Sequence, residues 1–322
     1  MRALYAGTFS RRILLVGSAR RFFSPIISMD KHAASKRIAG NGFIAALDQS
    51  GGSTPKALAA YGIGPDAWSN EEEMFERMHE MRTRIISNPR FDQRISGAIL
   101  FERTMLSAID GVPTAQYLWE KKNIVPFLKV DEGLTDEQNG VQMMKPMKGL
   151  AARLKSANEH GIFGTKMRSV INSGNIEGIA AIVAQQFDVG NTILEAGLMP
   201  ILEPEVNIKS LDKVACEALL REQLLRHLDR LPAQQQIMLK LTLPDVADYY
   251  QDLIAHPRVL RVVALSGGYS TEEANAKLAK NHGLTASFSR ALVQDLRADQ
   301  SDEEFTEVLD NAIAGIYAAS IT

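Results

Sequence analysis

The sequence predicts an α/β fold of eight parallel strands closed into a barrel, on three observations. The chain has 322 residues, which is enough for one barrel of roughly 250 residues with additional segments. Short apolar or β-branched runs alternate with longer helical stretches, as is typical of βαβ units. Eight such runs occur, and polar residues lie at their ends. A doubly wound open sheet is the alternative fold that this alternation also allows.

The predicted strands follow one another at intervals that leave room for helices. In chain order they are Gly42–Leu47, Ser96–Phe101, Ile124–Val130, Phe163–Val170, Leu198–Val206, Ile237–Leu243, Leu260–Leu265 and Leu284–Ser289. The helical stretches include Asn70–Ser87, Gly140–His160, Ile176–Gly197 and Lys209–Arg230. We therefore expect residues 30–322 to form a single barrel domain.

Residues 1–29 differ in composition from the rest of the chain. They contain five arginines, several serines and no Asp or Glu, a composition typical of an organelle transit peptide. The stretch RRFFS at 20–24 is similar to a mitochondrial processing site. A secretory signal and an untranslated leader that precedes a domain starting at Met29 are the alternatives. We expect a mitochondrial or plastid protein if this segment is a transit peptide, and a cytoplasmic one otherwise.

Overall composition limits the classes of partner. The chain has 36 basic and 38 acidic residues and a net charge of −2, so no bulk field favours nucleic acid or an anionic membrane. No apolar run approaches the roughly 18 residues that span a bilayer. The single cysteine, Cys216, cannot form an intrachain disulfide or a Cys-based zinc site. A small-molecule ligand is the expected partner, and the outer helices of a barrel would also allow a homo-oligomer.

Charged and hydroxyl side chains lie at the ends of the predicted strands. In a barrel the carboxyl ends of the strands converge on one mouth, where active sites lie. Because side chains at i and i+2 of a strand share a face, neighbouring pairs in this set point the same way. The set is Asp48, Glu102, Lys129 with Asp131, Lys166 with Arg168, Glu203 with Glu205, Lys240, Ser266, and Ser287 with Arg290.

Lys240 differs from the other charged residues because it lies inside the apolar run Ile237–Leu243. An isolated ammonium is costly to bury in such a strand. Desolvation and neighbouring positive charge favour the free amine, which is the form that attacks a carbonyl. Lys240 is therefore our candidate for a Schiff-base nucleophile.

Two glycine turns are candidates for phosphate binding. Ser266, Gly267 and Gly268 follow the seventh run and precede a predicted helix, and a helix N-terminus presents unpaired N–H groups to an anion. Barrels frequently bind phosphate after strands seven and eight. The turn at 50–53, after the first run, would hold the other end of a substrate. None of the six histidines ends a strand run, so we expect no zinc at the mouth.

These strand-end motifs resemble those of class I fructose-bisphosphate aldolase, in particular its shorter form. They occur in the family's order over residues 31–317 and are LDQSGGS at 47–53, FLKVD at 127–131, TKMR at 165–168, LEPE at 202–205, LK at 239–240, LSGG at 265–268 and SFSR at 287–290. The resemblance implies a barrel enzyme of glycolysis and gluconeogenesis without metal or cofactor. It would cleave fructose 1,6-bisphosphate reversibly to dihydroxyacetone phosphate and glyceraldehyde 3-phosphate.

The resemblance also implies roles for individual residues. Lys240 would form the Schiff base, and Glu203 would move protons during carbinolamine formation and dehydration. Asp48 would take the proton of the C4 hydroxyl, and Lys166 would supply positive charge near the reacting carbons. The residues expected to bind the substrate and its two phosphates are Ser53, Lys129, Arg168, Glu205, Ser266, Gly267, Gly268 and Arg290.

Two departures from the longer relatives leave parts of this assignment open. Longer relatives end in a tyrosine that assists enamine proton exchange, whereas the last tyrosine here, Tyr317, precedes AASIT and is expected in a final helix. Ala57 stands where those relatives have an arginine. The alternatives are a transaldolase-like or deoxyribose-phosphate aldolase-like enzyme with one phosphate pocket, and a protein that binds sugar phosphates without turnover.

Overall fold

A nearly closed barrel of eight parallel strands confirms the predicted fold class. The structure, a computed structural model, describes residues 29–322. The hydrogen-bonded order of the strands follows the chain, and the N–H of Ala46 donates to the carbonyl of Phe288 at 3.1 Å across the gap between the last strand and the first. The strands are β1 Phe43–Leu47, β2 Ile95–Leu100, β3 Val125–Lys129, β4 Gly164–Ile171, β5 Met199–Val206, β6 Ile237–Thr242, β7 Val259–Leu265 and β8 Thr285–Ala286.

Helices surround the barrel and begin at recognisable caps. The side chain of Asn70 accepts from the N–H of Glu73, and Ser301 forms a capping box with Glu304, so both helix starts satisfy otherwise free N–H groups. The main helices are α1 Lys31–Ala39, α2 Thr54–Ala60, α3 Glu71–Ser87, α4 Leu150–Glu159, α5 Ile176–Glu195, α6 Lys213–Leu228, α7 Thr271–Leu278 and α8 Asp302–Ser320. Shorter helices are Glu102–Met105, Thr114–Gln116, Gln251–Ile254 and Arg290–Val293.

The barrel interior is apolar at one end and charged at the other. Ile44, Phe127, Ile201 and Met238 pack together inside the lower half of the barrel, while the residues between them on each strand pack outward against the helices. Helix α1 lies across this end, because residues from it belong to the same interior cluster. Met29, the first described residue, also packs there; the rest of the predicted leader lies outside the described residues.

The predicted helix over Gly140–His160 is wrong in its first half. Only Leu150–Glu159 is helical, and Val141–Gln142 forms a short strand that pairs antiparallel with β4. Gly140 has a φ of +68°, a left-handed conformation that starts a turn rather than a helix. Pro146 has no N–H to donate to a helix. The segment instead forms an antiparallel hairpin, with bridges between Leu134 and Met144 and between Gln138 and Val141, and the hairpin also pairs with β4.

Tyr317 lies in the last helix, α8, as expected, and the chain end lies at the apolar end of the barrel. The N–H of Gly283, which precedes β8, donates to the carbonyl of Thr322 at 3.2 Å. Tyr317 is close enough to Arg37 of α1 to raise the pKa of that guanidinium, against the larger lowering that burial causes. The Tyr317 hydroxyl is therefore remote from the carboxyl ends of the strands.

Candidate active site

A chain of two lysines and two acidic side chains crosses the mouth of the barrel. The Lys166 ammonium lies 2.7 Å from an oxygen of Asp48 and 2.9 Å from one of Glu203. The other Glu203 oxygen lies 2.9 Å from the Lys240 ammonium. Lys166, Glu203 and Lys240 are 3–4% exposed. Glu203 therefore bridges two lysines, and Lys166 bridges two carboxylates.

Strand periodicity and register bring these groups together. Ile201 in β5 pairs with Lys166 in β4 and with Met238 in β6. Glu203 and Lys240 each lie two residues further along their strands, so both face the interior above the apolar layer. Burying one such ion costs several kcal/mol. The two lysines and two acidic residues offset that cost by pairing with each other, so basic and acidic groups occur in equal number in this cluster.

The cluster shifts the protonation of its members. Burial alone would raise the pKa of Asp48, but the ammonium groups of Lys166 and Lys240 lower it to about 2. Burial would lower the pKa of Lys166, but Asp48, Glu203 and Asp131 outweigh that effect and raise it. At neutral pH the free protein therefore holds Asp48 as a carboxylate and Lys166 as an ammonium.

The low pKa of Asp48 predicts an acid-sensitive contribution to stability. Because the folded pKa lies below the unfolded value near 3.8, the contribution is complete above that value and is lost as pH falls toward about 2. Its size at neutral pH is about 2 kcal/mol. Denaturant unfolding from pH 7 down to about pH 2 should give a smaller loss of unfolding free energy for Asp48→Asn than for the unmodified protein. Identical pH profiles would contradict this assignment.

Two adjoining cavities of about 620 and 680 Å³ open above the cluster. Asp48, Ser53, Lys166 and Arg168 line both of them. The first also contains Glu203, Glu205, Lys240, Ser266, Gly267, Gly268 and Arg290, and the second contains Lys129. All twelve residues named from the sequence as site candidates therefore lie at the same mouth.

The loop after β7 approaches the first cavity closely. Gly267 and Gly268 have φ values of +61° and +111°, which favour glycine strongly. A Cβ on Gly267 would come within 2.6 Å of the Ile208 side chain. The loop leads into α7, whose first N–H groups are partly satisfied by Ser270, which accepts from Glu273. This backbone can therefore approach a ligand where a side chain would not fit.

Four of the proposed substrate-binding residues, Ser53, Lys129, Arg168 and Glu205, already have partners in this structure. Lys129 contacts the carboxylate of Asp131 at 2.8 Å, and Arg168 pairs with Glu205. The Ser53 hydroxyl donates to the carbonyl of Ser50. Binding a phosphate at these residues would therefore exchange existing contacts for new ones.

The sequence interpretation missed one buried cation beside the site. Arg82 in α3 is 1% exposed and donates to the carbonyl of Gln49, which follows Asp48. The helical spacing could have indicated that Arg82 is buried, because Met78 and Ile85 lie four residues before it and three after it on the buried face of the helix. A charged residue on such a face needs specific partners.

Over residues 29–322 no group of three or more His, Cys, Asp or Glu side chains has the arrangement of a metal site. Within the same residues no helix has the length and hydropathy to cross a membrane.

Comparisons with known proteins agree with this geometry. A family model described as fructose-bisphosphate aldolase class-I matches residues 29–247. Proteins named fructose-bisphosphate aldolase class 1 are 54% identical in Porphyromonas gingivalis (91% of this chain, 100% of that one), 56% in Clostridium acetobutylicum (87% and 96%) and 57% in Synechocystis (87% and 94%).

A solved structure also matches the fold. It is described as fructose-bisphosphate aldolase from Plasmodium falciparum in complex with TRAP and a small molecule inhibitor. The TM-score is 0.67 at 23% identity, over 90% of this chain and 94% of that one. The structural match supports the barrel, and the family model and the sequence matches extend over most of the chain. This chain belongs to the class I fructose-bisphosphate aldolase family.

Proposed function

We propose that this protein cleaves fructose 1,6-bisphosphate reversibly to dihydroxyacetone phosphate and glyceraldehyde 3-phosphate through an imine on Lys240. The observation that carries the assignment is the buried chain Asp48–Lys166–Glu203–Lys240. All four residues line the first cavity, and Asp48 and Lys166 also line the second. A nucleophile, a proton carrier and a second carboxylate thus line one reaction centre, with room for a phosphate on either side.

Imine formation uses Lys240 and Glu203. Glu203, 2.9 Å from the Lys240 nitrogen, takes a proton from the Lys240 ammonium, and the resulting amine attacks the C2 ketone. Glu203 then passes this proton, and the one that the nitrogen loses after the attack, to the former ketone oxygen, which leaves as water. The product is a protonated imine at C2. Lys166 keeps the second Glu203 oxygen in place, so the carboxyl group can alternate between accepting and donating a proton without moving away.

Carbon–carbon cleavage uses Asp48, which lies at the other end of the four-residue chain from Lys240. The C3–C4 bond breaks, its electron pair enters the imine to form an enamine, and the C4 hydroxyl loses its proton to Asp48. Positive charge on the imine nitrogen therefore stabilises the developing carbanion.

The two cavities suit the two phosphates. The backbone at Gly267 and Gly268, with Arg290, would hold the phosphate on the dihydroxyacetone side. Lys129 and Arg168 would bind the phosphate that is remote from the imine. A substrate with a phosphate at each end is therefore preferred over a monophosphate.

Steady-state cleavage of fructose 1,6-bisphosphate, measured by coupled detection of both products, tests the proposal. We expect turnover that persists in excess chelator and kcat/KM higher than for fructose 1-phosphate. Cleavage of a monophosphate alone would favour the one-pocket alternative. Binding of the bisphosphate without turnover would favour a sugar-phosphate binding protein.

The position of Tyr317 predicts that its hydroxyl takes no part in the reaction. Tyr317→Phe removes only that group, at the far end of the barrel from Lys240. We expect cleavage and solvent proton exchange into dihydroxyacetone phosphate to stay within about twofold of the unmodified protein. A selective loss of proton exchange, with cleavage retained, would instead place this residue in the reaction.

We also propose that residues 1–29 direct the protein to a mitochondrion or plastid, on the strength of their arginines and lack of acids. A fluorescent fusion of this segment should enter the organelle, and replacement of its arginines by alanine should leave it cytoplasmic. Cytoplasmic location of both fusions would contradict this proposal.

A homo-oligomer stays a prediction. Analytical ultracentrifugation of residues 29–322 checks it.

A further inference from the structure

Arg82 is a buried cation that no step of the proposed mechanism uses. It is among the largest fully buried side chains. Burial lowers the pKa of its guanidinium to about 10, while the nearby Asp48 acts to raise it. No carboxylate in the described part of the chain forms an ion pair with it. A charge buried at such cost needs compensation from other polar contacts.

The guanidinium ties together two loops at the mouth of the barrel. One Nη donates to the carbonyl of Gln49 at 2.6 Å, and the other donates to the Thr104 hydroxyl at 2.7 Å. Gln49 follows Asp48 directly, and Thr104 lies in the short helix Glu102–Met105 after β2. Arg82 therefore joins the end of β1 to the end of β2 behind the reaction centre.

Gln49 also connects this loop to the segment that follows β8. The Gln49 side chain donates to the Ser289 hydroxyl at 2.7 Å, and Ser289 precedes Arg290. Asp48 itself lies 2.7 Å from the Lys166 ammonium. Gln49, the residue after Asp48, is thus held at its carbonyl by Arg82 and at its side chain by Ser289, while the Asp48 carboxylate contacts Lys166.

We propose that Arg82 is a positioning residue for carbon–carbon cleavage, because it fixes the peptide that carries Asp48 against Lys166. The inference rests on the proposed function. Imine formation depends on Lys240 and Glu203, which Arg82 does not contact. Loss of Arg82 therefore affects cleavage much more than imine formation.

An arginine suits this task better than a lysine. Its planar fork makes two hydrogen bonds in fixed directions, whereas an ammonium on a flexible stem cannot reach Gln49 and Thr104 in the same way. A displacement of about 1 Å at a catalytic group can reduce a rate by about 100-fold. A small displacement of Asp48 after loss of the guanidinium would therefore produce a large fall in the cleavage rate.

The test compares Arg82→Lys and Arg82→Met in two assays. One measures kcat for cleavage of fructose 1,6-bisphosphate, and the other measures the rate at which borohydride traps dihydroxyacetone phosphate on Lys240. We expect cleavage to fall by about 10- to 100-fold, while trapping and KM change by less than about threefold. The matched control is Arg94→Met, since Arg94 holds Asp92 and Asp310 before β2, and both assays should be unchanged.

Thr104→Val keeps the charge and the side-chain shape but removes one anchor, and we expect it to fold and to give the same pattern at a smaller size. Circular dichroism and thermal unfolding identify variants that fail to fold, and the folded variants decide the result. An equal fall in both assays, or unchanged cleavage, would overturn the positioning role. Absence of trapping in the unmodified protein would instead refute the proposed function.

Discussion

Lys240→Met is expected to abolish turnover, with a loss of kcat of at least about 10⁴-fold. Methionine fills similar space in the buried β6 strand but has no amine, so neither the carbinolamine nor the imine can form. The C3–C4 electron pair then has no acceptor on the protein. Glu203 would keep its other contact with Lys166, so the rest of the cluster stays in place.

The matched control is Lys155→Met, which removes an ammonium from the surface of α4 where the side chain is 80% exposed. Its kcat should equal that of the unmodified protein. Coupled turnover at saturating fructose 1,6-bisphosphate is the measurement. Activity in the Lys240 variant above about one part in ten thousand would contradict the assigned nucleophile.

Glu203→Gln is expected to reduce kcat by about 10²- to 10⁴-fold, the usual contribution of a positioned acid–base group. The amide has nearly the same shape, but it can neither protonate the leaving oxygen nor recover the proton. It also leaves two buried ammonium groups with Asp48 as the only carboxylate of the original four-group chain. We therefore expect the unfolding free energy to fall as well, by about 3 kcal/mol.

The step that becomes slow distinguishes Glu203 from Asp48. In Glu203→Gln the trapping of dihydroxyacetone phosphate on Lys240 should slow along with turnover. In Asp48→Asn trapping should persist while cleavage falls. Single-turnover trapping of both variants gives the comparison, and Glu159→Gln, at a 57% exposed side chain of α4, is a control for loss of a carboxylate. Equal trapping rates in the Glu203 and Asp48 variants would contradict the division of roles.

The sequence was sufficient to predict the barrel and where its polar residues converge. Each of the eight predicted strand runs overlaps an observed strand. Short apolar runs between helical stretches are typical of the buried strands of a parallel sheet. Lys166, Glu203 and Lys240 could be grouped because parallel strands end at one mouth and strand side chains alternate. Their pairwise contacts could not be predicted, since these depend on the register between strands.

Local backbone requirements and long-range packing limited the rest. Gly140 and Pro146 interrupt a segment whose apolar spacing looked helical, and its hairpin depends on pairing with β4. Arg82 lies inside the predicted helix Asn70–Ser87 and ends no strand, so the strand-end pattern does not include it. Its proposed positioning role depends on hydrogen bonds to Gln49 and Thr104, and only the folded chain brings these residues within hydrogen-bonding distance of Arg82.

Borohydride trapping with dihydroxyacetone phosphate, followed by peptide mass analysis, tests the central claim most directly. The account predicts one covalent adduct, located on Lys240, that forms to the same extent in excess chelator. An unmodified Lys240, or an adduct on another lysine such as Lys166, would contradict it.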